Sequence, residues 1–222
     1  MTESTAHEDG RAQQFLSGSR SWAIEEAPAV VAIGTSTGGP GALEKIMPRF
    51  PRNFPVPILI VQHMPSGFTK TFAERLNSLC CIEVREATQS QRLQPGVAYI
   101  APAGAHMKVV KSLADSKPRI VLDSRRGKAQ HIPSIDELMK SVAEVYRNRA
   151  IGVIMTGMGS DGAAGIAAIF REGGLTIGQN EATCTVYGMP RACAELGVLS
   201  RIVSLSYIPT VIIRATRNCK RT

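Results

Sequence analysis

Three residues of the chain carry the chemical groups that acyl transfer by a serine requires. Ser36 lies in residues 34–38, which fit Gly-x-Ser-x-Gly, a pattern that holds a serine exposed at a sharp bend between a strand and a helix. A serine hydroxyl is a poor nucleophile until an imidazole accepts its proton, and a carboxylate must orient that imidazole. His63 and Asp161 supply these groups, and each of the three residues follows an apolar run. The sequence therefore predicts Ser36 as nucleophile, His63 as base and Asp161 as orienting carboxylate.

Each of these residues also has a plainer interpretation. A serine in a glycine-rich turn can cap the following helix or belong to a phosphate-binding turn, and Asp161 can cap the helix that begins after it. His63 can be a strand-end histidine with an ordinary hydrogen-bond partner. His106 and His131 are rival candidates for the base, although either can equally line a binding cleft or be exposed. The joint placement of the first three residues after predicted parallel strands favours the catalytic interpretation.

The elements that must position these residues are buried strands alternating with amphipathic helices. Continuous apolar runs at Val30–Ile33, Pro57–Val61 and Ile151–Met155 are typical of strands buried on both faces of a parallel sheet. Apolar residues at three- and four-residue spacing follow these runs and predict helices. The alternation indicates a doubly wound, mainly parallel α/β sheet of the Rossmann-like kind, with helices on both faces. Ligands of such sheets bind beyond the carboxyl ends of the strands, where the three candidate residues are placed.

The stretch 90–123 has a different pattern, which predicts antiparallel hairpins inserted beside the parallel sheet. Its short apolar runs, separated by Pro, Gly, Asp and Ser, are Val97–Ile100, His106–Val110 and Arg119–Leu122. A helix is expected soon afterwards, with Ser134 as its N-cap and Glu137 completing a capping box.

Length and composition indicate one cytoplasmic globular domain. A chain of 222 residues can bury a sizeable core without disulfide or metal support, and its five cysteines are an odd set without CxxC spacing. Residues 1–28 are expected to form a disordered arm or linker remnant, residues 29–217 the folded domain and residues 218–222 a basic tail. The sequence contains neither a signal-peptide pattern nor an apolar run long enough to predict membrane insertion.

The net charge of +8 has consequences for the kind of partner expected. Lys and Arg are scattered along the chain and only 5% of residues are aromatic, so a nucleic-acid partner is not expected. A positive surface is instead expected to attract an acidic protein surface and to speed the encounter with it.

Six ordered motifs together resemble the catalytic domain of the chemotaxis protein-glutamate methylesterases, the CheB family. They are IGTSTGGP at 33–40, VQHMP at 61–65, YIAP at 99–102, HIPSID at 131–136, MTGMGSDGA at 155–163 and YGMPR at 187–191. The resemblance covers about residues 28–215 and implies a doubly wound α/β fold. It also implies a serine carboxylesterase that hydrolyses glutamate methyl esters on chemoreceptors, with deamidation of receptor glutamines as a further activity.

The resemblance assigns roles to individual residues as well. The serine, histidine and aspartate of the family fall on Ser36, His63 and Asp161. The backbone N–H of Met158 is implied as a donor to the oxyanion, with Thr37 as a supporting residue. No metal and no cofactor is expected.

The expected partners are methyl-accepting chemotaxis receptors, which are the protein substrate, and a separate receiver domain or protein. The family usually carries a phosphorylatable receiver domain before the esterase, and residues 1–28 have neither the length nor the strand pattern for one. Activity that does not respond to a small phosphodonor is therefore expected. Thr35, Ala103 and Ser160 stand where Ala, Gly and Asn are more usual, and none of them is a proposed nucleophile or proton-transfer residue.

Two other classes of function compete with an esterase. One is a Rossmann-like nucleotide- or phosphate-binding module, but the glycines at 34–39 fit neither Gly-x-Gly-x-x-Gly nor a P-loop. The other is a catalytically idle receptor-binding adaptor, which the presence of all three chemical residues disfavours.

Overall fold

The computed structural model describes residues 27–125, 127 and 129–217. The predicted basic tail, and residues 1–26 of the predicted arm, lie outside the described residues. The strands are β1 (Val30–Thr35), β2 (Ile58–Gln62), β3 (Glu83–Glu86), β4 (Val97–Ile100), β5 (His106–Lys111), β6 (Pro118–Asp123), β7 (Ala150–Ile154), β8 (Leu175–Gln179) and β9 (Arg201–Val203). The α-helices are α1 (Gly39–Ile46), α2 (Thr69–Leu79), α3 (Ile135–Tyr146), α4 (Ala163–Arg171), α5 (Met189–Glu195) and α6 (Ile208–Arg217). Among these described helices, none has the length and apolar character needed to cross a membrane.

Seven strands form one parallel sheet in the order β3-β4-β2-β1-β7-β8-β9. β1 is buried along its whole length and lies between β2 and β7. The chain places β2, β3 and β4 on one side of β1, with β4 entering between β2 and β3, and then crosses to the other side to form β7, β8 and β9. This confirms the predicted doubly wound fold, and it places the reversal of strand order at β1 and β7, where such sheets bind ligands.

The sheet is covered on both faces, as its apolar strands require. Along β1, Val31 and Ile33 pack in a core with residues of α1, α2 and α6. Val30 and Ala32 point the other way, into a second core with residues of α3, α4, α5 and the strands β5 and β6. The alternation of side chains along a strand thus divides the apolar residues between two layers.

One of the three predicted hairpin strands belongs to the parallel sheet instead. Val97–Ile100 forms β4, which is fully buried and pairs in parallel with both β2 and β3. The expected antiparallel pairing is present only between β5 and β6, where His106 lies opposite Asp123. The prediction for β4 was wrong because residues 87–96, which connect it to β3, contain no α-helix to mark a parallel crossover.

The predicted capping box at the start of α3 is only half formed. Ser134 is the N-cap, and its Oγ accepts a hydrogen bond from the Glu137 N–H at 3.4 Å. The Glu137 carboxylate does not return to the Ser134 backbone but pairs with Lys108 Nζ at 2.7 Å. The Ser134 N–H instead donates to His106 Nδ1 at 3.1 Å. Strand β5 carries both Lys108 and His106. The packing of the hairpin on α3 therefore gives the Ser134 N–H and the Glu137 carboxylate new partners, in place of the bond that they would make to each other in a capping box.

Candidate active site

The structure brings Ser36, His63 and Asp161 together at the carboxyl edge of the sheet. They follow β1, β2 and β7, which are neighbouring strands. His63 Nδ1 lies 3.2 Å from Ser36 Oγ, and His63 Nε2 lies 2.8 Å from Asp161 Oδ2. The side chains of His63 and Asp161 are only 11% and 12% exposed. A continuous chain of hydrogen bonds therefore links a hydroxyl, an imidazole and a carboxylate.

The surroundings of Asp161 keep its carboxyl group ionised. Asp161 accepts hydrogen bonds from Ser134 Oγ at 2.9 Å, from the Ile135 N–H at 2.8 Å and from the Asp136 N–H at 3.1 Å. Burial raises the pKa of Asp161, but the hydrogen bonds from His63, from these two N–H groups and from Ser134 outweigh burial and leave the pKa at about 2. The N-terminal end of α3 also favours a negative charge at this position.

An ionised Asp161 determines the tautomer of the neutral His63 ring. A carboxylate can only accept hydrogen bonds, so His63 Nε2 must carry the proton that is shared with Asp161. His63 Nδ1 then presents a lone pair towards Ser36 Oγ. The pair is thus arranged for transfer of the serine proton to Nδ1.

Asp161 and Asp136 cap each other's helices. Asp161 precedes α4, yet its carboxylate accepts from N–H groups at the start of α3. Asp136 lies in the first turn of α3, and its Oδ1 accepts from the N–H groups of Gly162 and Gly165 at the start of α4, at 3.0 and 2.8 Å. Burial raises the pKa of Asp136, the Gly165 N–H opposes this rise, and the charge of Asp161 adds to it. The alternative that Asp161 caps its own helix does not hold, because Gly162 is the N-cap of α4 and the N–H groups of Gly162 and Gly165 donate to Asp136 and not to Asp161.

Ser36 does not cap the helix that follows it either. The N-cap of α1 is Gly38, at φ +79°, and it makes no side-chain capping hydrogen bond. The turn is held through backbone atoms: the Ser36 N–H donates to the Thr156 carbonyl at 3.0 Å, and the Gly39 N–H donates to the Ser36 carbonyl at 2.8 Å. The hydroxyl of Ser36 is therefore left to His63.

The turn after β7 lies directly against Ser36. A Cβ atom added to Gly157 would lie 2.8 Å from Ser36 Cβ and would also overlap Met189 Sδ. The Gly157 carbonyl accepts from the N–H groups of Gly188 and Met189, at 3.0 and 2.9 Å. Within the described ranges, the N–H groups of Thr37 and Met158 donate to no other residue. Thr37 follows Ser36 in the chain and Met158 follows Gly157, so two backbone donors that adjoin the site have no partner among the described residues.

The rival histidines lie near this site, but neither is hydrogen-bonded to Ser36. The His131 ring stacks on the His63 ring, with centroids 4.3 Å apart and planes inclined by 25°. His106 is buried, and its Nδ1 accepts the Ser134 N–H. The geometry therefore favours His63 as the partner of the serine, while the stacking of His131 was not predicted.

A cavity of about 640 Å³ opens on the far side of Asp161, between the β5–β6 hairpin and α3. Its charged lining residues are Lys108, Asp123, Arg125, Asp136, Glu137, Lys140 and Asp161. Several of these charges form ion pairs within the cavity wall, including Lys108 with Glu137 and Arg125 with Asp123. In the part of the chain that the structure describes, no group of three or more His, Cys, Asp or Glu side chains could hold a metal ion.

A Ser–His–Asp hydrogen-bond chain at the ligand-binding edge of a doubly wound sheet is an arrangement found in serine hydrolases. The family model described as CheB methylesterase matches residues 31–212. The chain therefore belongs to the CheB methylesterase family, as the sequence motifs predicted.

Similar proteins agree with this assignment. The chain is 45% identical over 184 residues to a protein-glutamate methylesterase/protein-glutamine glutaminase of Nitratidesulfovibrio vulgaris, covering 83% of this chain and 50% of that relative. It is 46% identical over 189 residues to a protein of the same description from Pyrococcus abyssi, covering 85% and 51%. The crystal structure of the Thermotoga maritima CheB methylesterase catalytic domain is similar, with a TM-score of 0.81 and 38% identity over 85% of this chain and 99% of that one. The chain spans about half the length of the curated relatives it matches.

Proposed function

We propose that the protein is a serine carboxylesterase that hydrolyses methyl esters of glutamate side chains on chemoreceptor proteins, in bacterial chemotaxis adaptation. The observation that carries the proposal is the chain of hydrogen bonds from Ser36 Oγ through His63 to Asp161. The family and the descriptions of the similar proteins supply the substrate class. The same descriptions support deamidation of receptor glutamines as a second reaction, since an amide and an ester present the same carbonyl to the nucleophile.

The proposed reaction has two stages. Ser36 Oγ attacks the ester carbonyl while His63 Nδ1 takes the serine proton, and Asp161 stabilises the imidazolium that forms. The C–O bond to the methoxy group breaks, and His63 returns the proton so that methanol departs. A water molecule, activated by His63, then attacks the acyl-enzyme and releases the glutamate side chain and Ser36.

The oxyanion formed in each stage requires donors that are already in place. We assign this role to the Met158 N–H, with Thr37 next to the nucleophile as the supporting residue. The available N–H groups of both residues and the contact of the Gly157 turn with Ser36 support the assignment. The proposed catalytic domain comprises residues 29–217.

Methanol release from receptor membranes that carry methyl esters tests this function. Ser36→Ala and His63→Ala are each expected to lower kcat by roughly 10⁴- to 10⁶-fold, because the nucleophile or its base is lost. Ser78→Ala, at an exposed serine on α2, is the matched control and should release methanol at the wild-type rate. Wild-type release by the Ser36→Ala protein would contradict the mechanism, and no release by the unmodified protein would contradict the substrate.

A further inference from the structure

Gln62 is an unexpected residue at the end of an otherwise apolar strand. β2 reads Ile-Leu-Ile-Val-Gln, and Gln62 is as buried as its neighbours, with 2% exposure. A buried primary amide costs stability unless its polar atoms find partners. The Gln62 Oε1 atom has none among the described residues, so the amide is not fully compensated. The hydrogen bonds of the amide nitrogen, Nε2, indicate the role of this residue.

The Nε2 atom of Gln62 binds the two residues of the proton-transfer pair. It donates to the Ser36 carbonyl at 3.0 Å and to the His63 carbonyl at 2.9 Å, which accounts for both of its hydrogens. In the described part of the chain, no other side chain bonds to both of these carbonyls.

The position of this amide coincides with the end of the β1–β2 pairing. Thr35 and Gln62 are the last residues in register, and the His63 N–H still donates to the Thr35 carbonyl at 3.2 Å. Beyond that bond the two chains separate, Ser36 into the turn before α1 and His63 towards α2. The Gln62 side chain therefore connects the two chains one residue beyond the last backbone hydrogen bond between β1 and β2. This is the position at which Ser36 Oγ and His63 Nδ1 must meet.

The space around this amide is also specific. A Cβ atom added to Gly39 would overlap Gln62 Oε1 and Thr35 Oγ1. The second glycine of the Gly38-Gly39 pair thus leaves room for the Gln62 amide under the nucleophile turn.

We propose that Gln62 is a positioning residue, which sets the distance between Ser36 Oγ and His63 Nδ1 by holding the backbone carbonyls of both residues. This inference rests on the proposed serine mechanism. It explains why an amide whose oxygen has no partner among the described residues ends an otherwise apolar, buried strand. A displacement of about 1 Å between reacting groups can cost roughly 100-fold in rate, so such a link is significant for catalysis.

Gln62→Met tests the proposal, because methionine has a similar length and no N–H donors. We expect kcat for methanol release and the rate at which a fluorophosphonate labels Ser36 to fall by roughly 10- to 100-fold. KM should change little. The melting temperature should change only modestly, because removing the Oε1 atom, which lacks a partner among the described residues, offsets part of the loss of the two hydrogen bonds from Nε2. Gln62→Leu, measured in the same way, supplies the comparison if the methionine variant does not fold.

Thr176→Val is the matched control for loss of a buried polar group. Thr176 lies in β8, is fully buried and donates to the Val198 carbonyl at 2.7 Å, and it contacts none of the three candidate residues. This variant should lose stability and retain the labelling rate at Ser36.

Two results would overturn the proposal: a wild-type labelling rate in the folded Gln62 variant, or a loss of activity that only parallels a loss of melting temperature. Fluorophosphonate labelling needs no receptor, so it reports on the Ser36–His63 pair whichever ester is the substrate. Failure of the proposed substrate, seen as no methanol release by the unmodified protein, is therefore distinguishable from failure of the Gln62 proposal.

Discussion

Asp161 joins the chemistry of the site to the stability of the fold at the scale of a single residue. One of its oxygens accepts hydrogen bonds from both His63 and the Ile135 N–H, and the other accepts from Ser134 and Asp136. The same carboxylate that would stabilise a histidine cation also accepts hydrogen bonds from backbone N–H groups at the start of α3, which have no partner within the helix. A change at Asp161 should therefore affect activity and folding together.

Asp161→Asn should remove an acid-sensitive part of the stability. The pKa of Asp161 is about 2 in the folded protein, below the value near 3.9 expected for an unfolded chain. Its ionised form therefore stabilises the fold above about pH 4, by roughly 2 kcal/mol, and this contribution disappears as the pH falls towards 2. Urea unfolding between pH 2 and 6 should show a weaker decline at low pH for the Asn variant.

Asp136→Asn is the control for this measurement, because the sign of its effect is opposite. The pKa of Asp136 is raised in the folded protein, so its deprotonation opposes folding as the pH rises through that value. Equal acid sensitivity of the wild-type and Asp161→Asn proteins would show that the carboxylate is not held as described.

The reciprocal caps between α3 and α4 operate at the scale of elements, and they depend on Gly162. This glycine has φ +100°, and a Cβ atom there would lie 2.7 Å from Ile154 Cδ1 and 2.8 Å from Ile135 Cγ2. Gly162 thus allows the end of β7, the start of α3 and the start of α4 to meet closely.

Gly162→Ala should lower the free energy of unfolding by more than about 2 kcal/mol, because left-handed strain and overpacking add together. Gly67→Ala is the matched control, since Gly67 has φ +88° and open space around it, and its cost should stay near 1 kcal/mol. Denaturant unfolding of both variants measures the difference. Equal losses would show that the contacts with Ile154 and Ile135 do not matter.

Elements with a strong local pattern were predictable from the sequence, and contacts between distant residues were not. The apolar runs at β1, β2 and β7 placed Ser36 and its partners at one edge of the sheet. The half-formed capping box and the stacking of His131 on His63 depend on packing between distant segments, which the spacing of residues along the sequence does not predict. Gln62 was recognisable in the sequence as a polar residue at the end of a continuous apolar strand. Its role could be inferred only from the hydrogen bonds of its Nε2 atom.

Net charge acts at the scale of the whole molecule. The chain carries a formal charge of +8, and the proposed substrate is a receptor surface that we expect to be acidic. Raising the salt concentration from roughly 50 to 200 mM should therefore lower kcat/KM for receptor demethylation, because screening weakens long-range attraction. Initial rates at low receptor concentration measure this effect. If a small neutral ester were slowed equally, the effect would lie in the site or the fold and not in docking.

The adjacency of β2, β1 and β7 has a consequence for how the chain can vary. Ser36 and His63 are 27 residues apart in sequence, and His63 and Asp161 are 98 apart. Neighbouring strands of any sheet, however, are separated by about 4.8 Å, a distance fixed by backbone hydrogen bonds. The sheet therefore sets the spacing of the strand ends that Ser36 and His63 follow, whereas Asp161, which lies beyond the end of β7, is placed by its hydrogen bonds with the start of α3. The order serine, histidine, aspartate along the chain therefore reflects only the order in which β1, β2 and β7 occur in the sequence.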